Sequence, residues 1–392
     1  MAERCANILF KDQAVGVLYE TPQGGTRFVY NPDAVETIAC ALPVGEREHA
    51  WPTGLHPFFQ HLGPEGWLRE KQARAGRVEE EDDFGLLLRY GQDCIGAVGV
   101  RAIEPVAALW APADAETKAA VAGKRTVSGV QKKLLAFHRD GQYHPAEAEG
   151  PATHIAKYNG QSDTTSVRNE LLSLRLARDV LGTKQVTEFE TSVVAGIDEL
   201  ALVVKRFDRT ERLEKLRLED FAQILNRPRG RDFTGKYAGS YEEIALAIRD
   251  HSARPQIDVD QFFRRVVFCV LIGNADAHLK NFSLLETPRG LRLSPAYDLL
   301  NTLIYGGTYK TEFALSLCGD HVQTDRIDRR LVLAFGQAIG LPARAIQVAL
   351  NEIGDRIRRS GAIVPPDAEP ADGFVHRYAG IVGDACSRIL EE

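Results

Sequence analysis

The polarity pattern of this chain changes character a little past its midpoint. In the first part, apolar residues come in short runs bounded by turn residues. "VGVLYE" and "TRFVYN", joined by the Gly-rich "TPQGG", predict two paired strands. "TVSGVQKKLLAFHRDGQYH" predicts a strand entered through a glycine loop and left through the Asp140-Gly141 turn. "THIAKYN", "FETSVVAG" and "ELALVVKRFDR" predict further strands. Helical spacing interrupts them at "HPFFQHLGPEGWLREKQAR", at the start of "DDFGLLLRYGQDCIGAVGV", which turns strand-like after Gly91, and at "SVRNELLSLRLARDVLG", with Ser166 as N-cap and Gly182 as stop. The Ala- and Pro-rich "EPVAALWAPADAETKAAVAGK" has little period and is expected to be a linker. From about residue 219 the period is mostly helical: "YEEIALAIRDH", "DVDQFFRRVVFCVLIG", "DRRLVLAFGQAIG", "ARAIQVALNEIGDRIRR" and "FVHRYAGIVGDACSRILEE".

Strands first and helices afterwards predict an α+β protein in two lobes, with a cleft between them. The expected regions are 1–104, 118–225 and 226–392. A chain of 392 residues, 44% hydrophobic and 26% charged, has the composition of a folded protein of two or three units. Its net charge of -6 argues against a protein held as a whole to nucleic acid by phosphate contacts. The basic run "RPRGR" at 227–231 is then either a solvated loop or a local contact to a phosphate backbone or a tRNA-bearing substrate. The six cysteines are scattered without a CxxC pair, the ten histidines form no HExxH, and no signal segment opens the chain, so the expectation is a cytoplasmic protein with reduced thiols and no structural zinc. No apolar run approaches the roughly 20 residues of a membrane helix.

The chemistry concentrates in "LIGNADAHLKNFSLL", where a polar cluster follows a greasy helix. Asp276-x-x-x-x-Asn281 is the spacing of a kinase catalytic loop, in which the Asp orients the attacking hydroxyl and the Asn binds a metal. The spacing alone also fits an ordinary solvated turn. "NFSLLETPRGLRLSPAYDLL" then predicts a hairpin ending at Asp298, a hard oxygen donor suited to Mg²⁺ on ATP phosphates, or a capping aspartate before "LLNTL". Lys157 lies in an apolar strand where a charge needs a partner, and Glu170 on the next helix could supply it. Each could equally be a surface residue. Gly129 in "TVSGVQKK" could let backbone N–H groups approach phosphate, although the segment is neither GxGxxG nor a Walker loop.

Taken in order, "TVSGVQKK", "THIAKY", "VRNE", "KRFDR", "IGNADAHLKNFSLL" and "SPAYDLL" resemble the HipA family of toxin kinases from type II toxin–antitoxin systems; "LGPEGWLREKQA" and "YGQDCIGAVGV" resemble its N-terminal subdomain. The match spans roughly residues 1–320. It implies a protein-kinase-like α+β fold: an extra N-terminal α/β subdomain (1–104), an N-lobe with the phosphate loop (118–225) and a mostly helical C-lobe with the catalytic loop (226–392). It implies ATP and Mg²⁺ as cofactors and transfer of the γ-phosphate to a serine or threonine of a protein. On this resemblance Asp276 is the catalytic base. Asn281 and Asp298 hold Mg²⁺, with His278, Lys280 and Tyr297 beside them, and Lys157, partnered by Glu170, binds phosphate. Ser128, Gly129, Val130, Gln131, Lys132 and Lys133 form the phosphate loop, and Lys205, Arg206 and Phe207 form the hinge that meets adenine. Lys205 stands where many relatives carry an acidic residue, which leaves adenine contacts there to the backbone. The family's self-phosphorylation maps to Thr126 or Ser128. A small helix-turn-helix antitoxin, HipB-like, is the implied partner and carries the DNA contact; an aminoacyl-tRNA synthetase is the implied substrate. Two other readings are a small-molecule kinase of the antibiotic-phosphotransferase kind and a catalytically silent nucleotide-binding regulator.

Overall fold

The computed structural model describes residues 4–104, 115–121, 125–126, 131–146, 150, 152–160, 164–307, 309–360 and 373–391. Two compact units emerge, Met1–Val167 with Glu188–Gly235, and Arg168–Thr187 with Lys236–Glu392.

The first unit opens on an antiparallel sheet of β1 (Cys5–Phe10), β2 (Gln13–Glu20), β3 (Thr26–Tyr30), β4 (Glu48–Trp51) and β5 (Val98–Ala102), in the order β4-β3-β2-β1-β5. Lys11 and Asp12 both take positive φ (50° and 66°), as a two-residue turn matched to strand twist requires. Alternation puts Ile8, Leu18 and Phe28 on one buried face, covered by Phe58 and Phe59. The single helix expected over "HPFFQHLGPEGWLREKQAR" is two, α1 (Pro57–Gln60) and α2 (Gly66–Gly76). Pro64 between them lacks an N–H and biases Gly63 away from helical ψ. α3 (Asp83–Tyr90), capped by the Asp82 carboxylate, leads into β5 as the periodicity predicts. The expected linker carries a helix within its described part, α4 (Ala115–Val121), because Ala, Glu and Lys favour helix without needing a visible period.

The same unit holds a closed five-stranded barrel of β6 (Lys133–Arg139), β7 (Gln142–Pro145), β8 (His154–Lys157), β9 (Phe189–Val194) and β10 (Ile197–Lys205), ordered β10-β8-β6-β7-β9. Asp140 (φ 52°) and Gly141 (φ 78°) make the predicted β6–β7 turn. Leu134, Ala136, Ala156, Ala201 and Val203 fill its interior. At the end of β10 a buried ion network ties the barrel to the segment before β5. Arg206 pairs with Asp208 at 2.8 Å, Arg209 with Asp93 at 2.7 Å, and the Gly96 N–H donates to Asp208 Oδ2 at 2.7 Å. β11 (Leu218–Asp220) and α6 (Phe221–Ile224) follow, the latter with an Asp220/Gln223 capping box.

Among its described residues the second unit is mostly helical and carries one hairpin. It contains α5 (Ser166–Leu181) from residue 168 onward, α7 (Tyr241–His251), α8 (Pro255–Leu271), α9 (Arg329–Ala338), α10 (Ala343–Ser360) and α11 (Gly373–Leu390). α8 starts on Pro255, which has no N–H to leave orphaned, and packs against α7, α10 and α11. Asp258 in its first turn is fully buried and holds the hairpin β12 (Ser283–Thr287)–β13 (Gly290–Leu293), accepting from Arg292 Nη2 at 2.7 Å and from the Leu293 N–H at 3.1 Å. Among the described residues no helix is long and apolar enough to cross a membrane.

Candidate active site

The site in the second unit is built where α8 stops. Gly273 takes φ 69°, the Gly273 N–H donates to Val270 O at 3.1 Å, and the Asn274 N–H reaches back to Cys269 O at 2.8 Å. This is the bond pattern of a glycine-terminated helix, and it turns the chain sharply out of the core. A Cβ on Gly273 would stand 2.8 Å from Ile381 Cγ2 and 3.1 Å from Asn301 Oδ1, so both backbone conformation and space demand glycine.

The loop thus started is fixed from three sides. Thr302 Oγ1 donates to Gly273 O at 3.2 Å and accepts from the Ala275 N–H at 2.8 Å. Asn274 Oδ1 accepts from the Asp276 N–H at 3.2 Å, and Tyr241 Oη donates to Ala277 O at 2.8 Å. Asn169 on α5 donates to Asn301 O at 2.9 Å and accepts from the Asn301 N–H at 2.9 Å, anchoring the strand of chain that carries Thr302.

On this frame the predicted residues converge. Asn281 Oδ1 accepts from the His278 N–H at 3.0 Å, and Asn281 Nδ2 donates to Asp298 Oδ2 at 3.1 Å. Asp298 has φ 57°, a left-handed conformation that aspartate tolerates better than most residues and that collects at functional positions. Tyr297 donates to Lys280 O at 2.8 Å and is bonded to Ser283 Oγ, which locks the end of the hairpin to the loop. Asp276, His278, Lys280, Asn281, Tyr297 and Asp298 therefore belong to one cluster. Burial pushes the Asp276 carboxyl above its ordinary value; Lys236 and the bond from Tyr237 oppose that shift, and Asp298 adds to it.

Two participants carry no motif. Tyr237 Oη donates to Asp276 Oδ1 at 2.7 Å, and the ring meets His278 edge-on at a centroid distance of 5.3 Å. Lys236 is buried beside it, its ammonium 5.2 Å from the Tyr237 ring centroid. Both lie about 40 residues before Asp276 on a 3-10 turn, Thr234–Tyr237, so no local spacing could announce them.

The donor chemistry suits a hard cation. Asn281 and Asp298 offer oxygen ligands on side chains that already meet at 3.1 Å. Among the described residues no cluster of three or more His, Cys, Asp or Glu could hold an ion, so a two-ligand site leaves the remaining positions to water and substrate oxygens, as Mg²⁺ prefers.

In the first unit, Lys133 on β6 and Lys157 on β8 are direct cross-strand partners, and both are buried. Opposed residues of an antiparallel pair share a face, and two like charges there suit a polyanion. Gln131 donates to Tyr158 O at 3.1 Å, and Lys132 pairs with Glu199 at 2.9 Å. Ser128, Gly129 and Val130 lie outside the described residues. Thr126 is 1% exposed, its N–H bonded to Asp93 O at 3.3 Å. Lys205 pairs with Glu188 and Glu211, while the Arg206 side chain is buried on Asp208; Phe207 between them is half-buried. Glu170 is fully buried on α5 of the second unit. In the "RPRGR" run, Arg229 is packed rather than solvated, 4.4 Å over the Phe233 ring and 3.2 Å from Asp83.

A barrel-bearing unit, a helical unit and a metal-suited Asp/Asn loop after a buried helix define a protein-kinase-like α+β fold. The model of the HipA N-terminal domain matches residues 6–101, and that of the HipA-like C-terminal domain matches residues 125–360. The chain belongs to the HipA family. It is 35% identical over 324 residues to the "Putative kinase Y4dM" of Sinorhizobium fredii, covering 75% of this chain and 76% of that one. It is 29% identical over 290 residues to the serine/threonine-protein kinase toxin HipA of Shewanella oneidensis, 68% of this chain and 64% of that protein. A solved structure from Shewanella oneidensis MR-1, HipA with HipB and operator DNA, shares the fold with a TM-score of 0.74 at 24% identity, over 98% of this chain and 97% of that chain.

Proposed function

We propose that this chain is the toxin of a type II toxin–antitoxin pair, a serine/threonine protein kinase that moves the ATP γ-phosphate to a protein acceptor. One observation carries the reading: Asp276, Asn281 and Asp298 are assembled on a single rigid loop and hairpin, with a 3.1 Å bond between the last two. Phosphoryl transfer asks mainly for positioning and charge neutralisation. Asp276 accepts the hydrogen bond of the attacking hydroxyl and aligns it. Asn281 and Asp298 would hold Mg²⁺, which when bound neutralises charge on the phosphate oxygens. Lys133 and Lys157 bind phosphate. Lys205 and Phe207 meet adenine through backbone, since the Lys205 ammonium is engaged by two carboxylates and Arg206 by Asp208.

Self-phosphorylation belongs to the same proposal. Because Thr126 is 1% exposed, a phosphate on it requires residues 125–126 to leave Asp93, which favours Ser128 as the acceptor. The Shewanella complex of HipA, HipB and operator DNA supports a HipB-like helix-turn-helix partner; an aminoacyl-tRNA synthetase as substrate and a cytoplasmic location complete the reading.

The test is expression of wild type and Asp276→Ala in bacteria, followed by phosphoproteomics. Growth arrest and a newly phosphorylated protein are expected with wild type alone; loss of the base should lower transfer by about 10²–10⁴-fold. Equal toxicity, or equal labelling, would remove the reading.

A further inference from the structure

We propose that Tyr237 occupies the place of the acceptor hydroxyl on Asp276, so that an incoming serine or threonine must displace a built-in competitor before transfer. The inference rests on the kinase reading of the site and deepens it.

A hydroxyl acceptor in phosphoryl transfer has one obligatory contact with the protein: its O–H donates to the catalytic carboxylate at about 2.6–3.2 Å. Tyr237 Oη makes that contact, donating to Asp276 Oδ1 at 2.7 Å. The loop does not depend on it for shape. Its backbone is held by Thr302 Oγ1 at Ala275, by Asn274 Oδ1 at Asp276 and by Tyr241 Oη at Ala277. Tyr241, another tyrosine at this loop, is fully buried and bonds a carbonyl, as a structural tyrosine does; Tyr237 is 37% exposed and bonds the carboxylate assigned to the acceptor hydroxyl. Its hydroxyl reaches Asp276 from a position an outside side chain could also take.

The ring contacts His278 edge-on at 5.3 Å and lies 5.2 Å from the Lys236 ammonium, contacts that set its direction, while 37% of the residue is exposed. The 3-10 turn that carries it, Thr234–Tyr237, is short and lies just ahead of the Ser240 cap of α7, so a change in the turn need not disturb that helix. A tyrosine in this place does two things. It keeps water from the base while no acceptor is bound, and it raises the acceptor concentration needed for turnover.

The experiment uses the full chain with Mg²⁺·ATP and compares wild type, Tyr237→Phe and Asp276→Asn. Without acceptor, the readout is ATP hydrolysis, in which water takes the hydroxyl's place. With myelin basic protein as the probe acceptor, the readouts are KM and kcat. Removing one hydrogen bond should shift occupancy of the position by about 3- to 10-fold. Tyr237→Phe is therefore expected to raise hydrolysis and lower KM by that factor with kcat little changed. Tyr237→Phe keeps the ring on His278, and an unchanged melting temperature would confirm that the fold is intact. A fall in kcat would make Tyr237 a positioning group, unchanged hydrolysis and KM would make it structural, and phosphate found on Tyr237 would make it a substrate; each overturns the proposal. If Asp276→Asn hydrolyses and transfers as well as wild type, the kinase reading itself fails, an outcome separate from these.

Discussion

At the residue scale the decisive feature is a carboxylate kept where it is costly. Burial raises the Asp276 carboxyl above the ordinary 3.8, with Lys236 and the Tyr237 bond restraining the shift. A raised folded-state value means that the folded chain holds the Asp276 proton more tightly than the unfolded chain does. Above the folded value the ionised carboxylate subtracts stability; below the ordinary value the penalty is gone. Asp276→Asn keeps an acceptor for Tyr237 and drops the charge. In Mg²⁺-free buffer at pH 7–8 it is expected to melt above wild type, with the gap closing as pH falls toward 3.8. Scanning calorimetry across that range checks it, and a gap independent of pH would contradict it. The same residues show what a sequence can and cannot announce. Asp276, Asn281 and Asp298 were legible because a short loop and one hairpin fix their spacing. Tyr237 and Lys236 were not, because a hydroxyl and an ammonium brought in from a separate turn leave no local pattern.

At the scale of elements, strands and helices follow polarity wherever a periodic run is long enough. The paired β2 and β3, the β6–β7 hairpin with its Asp140-Gly141 turn, and α8 all fall where the pattern puts them. The misses have identifiable causes. Gly63-Pro64 breaks an otherwise helical stretch into α1 and α2, and α4 is too short and too Ala-rich to show a stripe. The buried network at the end of β10 was also hidden, since its members at 93–96 and 206–209 are far apart in the chain. There, burial alone would raise the Asp208 carboxyl, but Arg206 and Arg209 outweigh it and bring it down to about 2. Arg206→Met is expected to cost about 3–5 kcal/mol in urea unfolding at pH 7, because it strands a buried charge. Arg206→Met with Asp208→Asn should recover much of that loss. With the folded value depressed, the network's stability is present above the ordinary carboxylate range near 3.8 and fades as pH falls toward 2. The single variant and wild type should therefore converge at low pH, and a constant difference would count against the network as its source.

At the scale of the whole molecule, the proposed function assigns phosphate binding and hydroxyl activation to different residues in different units. Lys133 and Lys157 share one face of the barrel in the first unit, while Asp276 stands on the loop after α8 in the second. A nucleotide that binds only the folded chain stabilises it by RT ln(1 + [L]/Kd), about 2.7 kcal/mol at a hundredfold excess over Kd. That gain depends on groups that touch phosphate and not on the group that orients the acceptor. Mg²⁺·ATP is accordingly expected to raise the melting temperature of wild type and of Asp276→Asn by similar amounts, and to lose most of the rise in Lys157→Met. Asp298→Asn should lose the part of the rise that depends on Mg²⁺, because it removes the only negative charge from the proposed ligand pair of Asn281 and Asp298. A rise retained in Lys157→Met would move nucleotide binding away from the paired lysines of the barrel. A rise lost in Asp276→Asn would mean that the aspartate contributes to binding ATP, and the division between holding the nucleotide and aligning the acceptor would have to be redrawn.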